Sequence, residues 1–155
     1  DEAPKRYATC LDELRKGVKS SRYESLAQLA MVLKRRNPRL PAANAAFLAR
    51  AWSRPRADGG VELRADPWHR LTNPILYRRE EAEACWRRAD LPMLLVVGAE
   101  SEFHGRLGAD GTNAYFRGIF VQLDCAAIDA AGHMMHHEQP AAVADAIRDW
   151  AMRQP

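Results

Sequence analysis

The sequence predicts an α/β chain in which a helical first half precedes a second half of alternating helices and strands. Three observations predict it. Apolar residues recur at helical spacing in three stretches of the first 52 residues. Met93-Leu-Leu-Val-Val97 is a continuous apolar run ended by Gly98, the pattern of a strand buried on both faces of a parallel sheet. From residue 79 onward the order reads helix, strand, helix, strand, helix, which is α/β packing.

Each element has its own warrant. Pro4 to Leu14 reads as a helix, with Tyr7, Leu11 and Leu14 at helical spacing and Pro4 suited to a first turn. Gly17 and Ser20-Ser21 break it. Glu24 to Arg36 is a second helix with the stripe Leu26, Leu29, Ala30 and Leu33. Its basic end, Lys34-Arg35-Arg36, sits where the helix dipole favours cations. Asn37-Pro38 stops it. Pro41 to Trp52 is a third, alanine-rich helix carrying Phe47, Leu48 and Trp52. Asp58-Gly59-Gly60 makes a turn before a strand-like run, Val61 to Arg64. Pro67 and Pro74 keep the next segment irregular. Arg79 to Ala89 returns to helix, with Ala82, Cys85 and Trp86 on one side. Gly105 to Gly118 mixes loop with one short helix, and Gln122 to Ile128 is a second buried strand. Pro140 to Met152 closes the chain as an amphipathic helix, with Val143, Ile147 and Trp150 facing inward.

Bulk properties narrow the class. The 155 residues suffice for one domain with a core, and 47% hydrophobic and 28% charged content is ordinary for a globular chain. The net charge of +3 comes from Lys and Arg spread along the chain, a poor footprint for nucleic acid. Cys10, Cys85 and Cys125 are odd in number and lack a C-x-x-C, which fits reduced thiols and a cytoplasmic setting. No apolar run approaches the roughly 20 residues of a membrane span. The chain opens Asp-Glu-Ala-Pro without an initiator Met, as a processed piece of a longer protein would.

The chemistry concentrates near the C-terminus. Ala131-Gly-His-Met-Met-His-His-Glu-Gln-Pro140 holds three of the five histidines. Gly132 permits a sharp turn after the strand, and Pro140 biases Gln139 away from helix. His133 to Gln139 is therefore expected as a connecting loop, outside the C-terminal ends of the strands, where open α/β sheets bind ligands. His133 and His137 could share a zinc only on a continuous helix, which the flanking Gly and Pro oppose, and no cysteine lies near. No metal or cofactor is expected. His136 and His137 read as loop supports or solvent-facing groups. His133, just past the glycine, is placed as a general base that can take and return a proton near neutrality.

Two segments carry a family resemblance. Asp90-Leu-Pro-Met-Leu-Leu-Val-Val-Gly-Ala-Glu-Ser-Glu102 resembles the α/β-hydrolase segment in which the penultimate core strand ends in a turn bearing the catalytic acid. Ile128-Asp-Ala-Ala-Gly-His-Met-Met-His-His-Glu-Gln-Pro140 resembles the family segment whose histidine is the catalytic base. The resemblance implies the C-terminal part of an α/β-hydrolase core over residues 76–155, preceded by a helical cap at 1–75. It makes His133 the base. The family's acid position falls on Ser101, so Glu100 is the candidate acid, and Glu102 reads as a solvated loop residue. No G-x-S-x-G nucleophile elbow is present, and the early strands are missing.

The expectation is thus a C-terminal fragment of a serine-type hydrolase of carboxylic esters or similar compounds, inactive alone and completed by an N-terminal half of the same protein. Leu29, Leu33, Phe47 and Trp52 would either pack the cap's core or hold a small, fairly hydrophobic substrate. Two alternatives stand beside it: a non-enzymatic module that binds a partner or forms a homo-oligomer through an exposed sheet edge, and a metal-dependent site at His133, His136 and His137.

Overall fold

The computed structural model describes residues 2–154, apart from the side chain of His104. Asp1, where the chain opens, lies outside the described residues. The chain divides into two compact units, residues 1–77 and 78–155.

The first unit holds helices α1 (Glu2–Lys16), α2 (Leu26–Arg36) and α3 (Ala42–Trp52). Ser25 caps α2 by accepting from the Gln28 amide at 3.1 Å, while the Gln28 side chain accepts from the Glu24 amide at 2.7 Å. Such a cap contributes about 1 kcal/mol. At the other end Asn37 Oδ1 accepts from the Arg39 amide and Lys34 donates to the Leu40 carbonyl, which turns the chain into α3. Leu40, Ala45 and Leu48 form the core between α2 and α3, with Ala30 and Leu33 against it and Leu29 1% exposed. On α1, by contrast, Tyr7, Leu11 and Leu14 are all exposed.

The first unit also contains two strands, at Arg22 and at Ser53, that the sequence does not announce, beside the expected one at Val61. A three-stranded antiparallel sheet, ordered β1-β3-β2, joins β1 (Arg22–Tyr23), β2 (Ser53–Pro55) and β3 (Val61–Leu63). Strands of two or three residues are too short for alternation to show. The expected turn at Asp58-Gly59-Gly60 is the β2–β3 hairpin. Gly60 is required there: its φ is +73°, and a Cβ would lie 2.4 Å from the Tyr23 carbonyl oxygen.

The second unit is built on β4 (Met93–Gly98) and β5 (Leu123–Ile128), parallel and in register from Met93 opposite Leu123 to Gly98 opposite Ile128. Between them run α5 (Phe103–Leu107), a 3-10 turn at Gly108–Gly111 and α6 (Asn113–Arg117), two short helices where one is expected. Before β4 stands α4 (Arg79–Trp86). Its Trp86 packs on Phe116 and Phe120 at ring separations of 6.5 and 6.0 Å. Glu83 gathers the polar side of this contact, accepting from Arg79 Nε at 2.8 Å and from the Tyr115 hydroxyl.

Helix α8 (Pro140–Ala151) packs on both strands, and its Trp150 indole donates to Asp124 at 2.9 Å. Trp150 and Val143 are half-buried, but Ile147 is 48% exposed, so it does not face inward as expected. Nor is β4 buried on both faces: every residue from Met93 to Val97 is half-buried. The physical reason is the sheet order. Among the described residues β5 is the only strand bonded to β4, so one edge of an apolar strand lies open.

Candidate active site

The turn that follows β5 carries His133. Three contacts fix it. The Glu100 amide, in the turn after β4, donates to the Ala131 carbonyl at 2.9 Å. The Glu138 carboxylate accepts from the Gly132 amide at 2.7 Å. Gly98, the last residue of β4, lets the two turns touch: a Cβ there would lie 2.0 Å from the Gly132 oxygen and 2.5 Å from that of Ala131. Ala130 enters the turn with φ of +52°, the left-handed conformation that alanine takes at a cost of about 1–2 kcal/mol.

Sequence reasoning takes His133 to Gln139 as loop. The structure instead forms one helical turn, α7 (Met135–Glu138), in which the Met134 carbonyl accepts from the His137 and Glu138 amides at 2.8 and 3.1 Å. Pro140 does not prevent this. It starts α8 as its first residue, and Gln139, at φ −131° and ψ 57°, separates the two helices. The helix begins after His133, which stays in the preceding turn.

The three histidines are therefore unequal. His133 is exposed, and its ring lies against Phe103 with centroids 4.1 Å apart. His136 and His137 face each other at 4.0 Å. Burial lowers the His137 pKa below its ordinary 6.5, and the neighbouring His136 lowers it further. Among the described residues no three His, Cys, Asp or Glu groups are placed to share a metal ion, so the three-histidine metal site is not formed.

His133 stands at a cleft of about 210 Å³ walled by Leu95, Val97, Phe103, Met135 and Ser101. A second apolar cleft of about 230 Å³ continues along β4 between Trp86, Leu94, Phe116 and Phe120. Leu95 and Phe116 belong to both. An exposed imidazole over an apolar wall can exchange a proton with a group held in the cleft. Glu100 is exposed in the turn after β4, tied to the His133 turn through its backbone. Glu102 is also exposed, one residue before α5.

Two contributors escape sequence reasoning. Phe103 is the ring under His133, which nothing in its local pattern signals. Glu138 is buried to 6% exposure, and its signal is only that a carboxylate ends the helical turn that begins beside Gly132. In the first unit the four apolar residues expected in a cap split: Leu29 and Leu33 belong to the core, while Phe47 and Trp52 are 67% and 40% exposed.

No family model matches the chain, and no curated protein matches its sequence. Solved structures do match. A thioesterase domain from the curacin biosynthetic pathway superposes with a TM-score of 0.75 at 24% identity, over 96% of this chain and 52% of that one. An E-2-(acetamidomethylene)succinate hydrolase gives 0.67 at 20% identity, over 97% and 52%. An α/β-hydrolase from Novosphingobium aromaticivorans gives 0.59 at 15%, over 91% and 51%. The chain thus has the α/β-hydrolase fold, and it spans about half the length of these structures. Among its described residues no helix is long and apolar enough to cross a membrane.

Proposed function

We propose that the chain is the base-bearing part of a serine-type α/β-hydrolase acting on carboxylic esters or similar acyl compounds. The carrying observation is His133, held on a turn fixed from three sides at the C-terminal end of a parallel strand pair, over an apolar cleft. In this reading His133 accepts the proton of a serine hydroxyl as it attacks the acyl carbon. It then returns that proton to the departing alkoxide, and repeats the exchange with water to release the acid. Glu100 is the acid that holds the imidazole's tautomer.

The serine lies outside this chain, in an N-terminal half of the same protein that covers the open edge of β4. Residues 1–75 serve as the cap, with the exposed Phe47 and Trp52 turned to a hydrophobic small molecule. The test is turnover of p-nitrophenyl butyrate. The reading expects none from this chain alone, activity when the preceding half of the protein is supplied, and its loss with His133→Ala. Activity that survives His133→Ala in the completed protein overturns the role of His133.

A second reading rests on the same open edge, which favours a module that pairs with a partner or a second copy. Sedimentation or size-exclusion at rising concentration separates the two. A dimer abolished by Val96→Pro supports pairing through β4.

A further inference from the structure

Among the described residues one carboxylate is buried, and it lies beside the candidate base. Among the described residues the buried polar or charged residues are Ser53 and Glu138. A buried carboxylate is costly unless charge-assisted bonds stabilise it. Glu138 accepts the Gly132 amide at 2.7 Å, closing a ring from the residue before His133 to the last residue of α7. The amide it holds belongs to the same peptide turn whose oxygens crowd Gly98. Few alternatives exist for that turn: Ala130 is left-handed, the Ala131 carbonyl is bonded to the Glu100 amide, and the Gly132 carbonyl is wedged against β4.

We infer that Glu138 is a positioning residue for His133: its carboxylate fixes the Gly132 peptide, and that peptide sets where the imidazole stands against Phe103. The significance of the position rests on the hydrolase reading, but the geometry does not. Removing the carboxylate leaves a buried amide without its acceptor and frees one of the three restraints on the turn. The strands, held by their own ladder and by the Trp150–Asp124 bond, are not part of this ring.

The experiment is NMR on the chain as it is, with Glu138→Gln and Glu138→Ala. In the unchanged chain the Gly132 amide resists exchange, and the His133 ring protons carry the ring-current displacement of the adjacent Phe103. Glu138→Gln keeps an acceptor oxygen and is expected to preserve both. Glu138→Ala is expected to speed Gly132 exchange by about tenfold or more, the loss of a bond to a charged group. It should also return the His133 ring shifts to those of the exposed His69, while the Trp150 indole and the β4 and β5 amides keep their positions. Two results overturn the inference: unchanged His133 shifts in Glu138→Ala, or a general change across β4 and β5 that Glu138→Gln fails to prevent. No substrate enters the measurement, so its failure leaves the hydrolase reading standing, and an inactive completed enzyme leaves this result standing.

Discussion

In residues 1–77 the apolar side chains of α2 and α3 close on one another around Leu40, Ala45 and Leu48. In residues 78–155 the apolar strand β4 stays half-buried from Met93 to Val97, with one edge open. The two regions differ in charge as well. The first carries 15 Lys and Arg against 8 Asp and Glu, a net +7, and the second 8 against 12, a net −4. A helical hairpin finds its core among near neighbours in sequence. A buried parallel strand is covered from partners distant in sequence, and among the described residues β4 has one bonded neighbour. The first region is thus closed at α2 and α3, and the second leaves one edge of an apolar strand open.

The most severe way to break this contrast is at Gly98. Gly98→Ala sets a methyl against two backbone oxygens that cannot move aside, and we expect a loss of about 3 kcal/mol or more, confined to residues 78–155. Hydrogen exchange resolved by residue checks both size and place. Next is a matched pair. Leu29→Ala, in the closed core, should cost about 2–5 kcal/mol in urea unfolding. Leu95→Ala, on the open strand, should cost less, about 1.5 kcal/mol, because more of its surface is already wet than that of Leu29. Equal losses would contradict the contrast.

Acid gives a smaller, directional effect. The His137 pKa is lowered, chiefly by burial, so its neutral form is the one the fold prefers. The stability it contributes is complete above 6.5 and is lost as pH falls below that value. Glu83, lowered by the Tyr115 hydroxyl and then by Arg79, adds a second loss as pH falls below 4.5. In residues 1–77 the corresponding group is Asp58, held below its ordinary 3.8 by Arg56. Acid should therefore loosen residues 78–155 first. His137→Gln should remove the early part of that loss in a pH series of melting temperatures. The smallest effect is Ala130→Gly, which relieves a left-handed alanine and should stabilise by about 0.5–1 kcal/mol.

Legibility followed the same divide. The α2–α3 hairpin reads directly from the sequence because its caps, its stripe and the Asn37-Pro38 stop are all local. The two parallel strands are legible as apolar runs, and His133 as the residue past the glycine turn. What stays hidden is non-local. β1 and β2 are strands only because β3 lies between them. The partial exposure of β4 follows from its having, among the described residues, one bonded neighbour. Phe103 under His133 and Glu138 on Gly132 are contacts across turns, which neither periodicity nor composition encodes. The glycine and proline around the histidines argue for a loop, yet one helical turn fits between them, closed by the His137 and Glu138 amides on the Met134 carbonyl and the Gln139 amide on that of Met135.

In the proposed reading His133 is the base, and the nucleophile it serves lies in a preceding half of the protein. Hydrolysis of p-nitrophenyl butyrate by the purified 155-residue chain, beside its His133→Ala variant, tests it most directly. The account predicts that both match the buffer blank. Turnover by the chain that disappears with His133→Ala would contradict it, because the nucleophile would then lie within these residues.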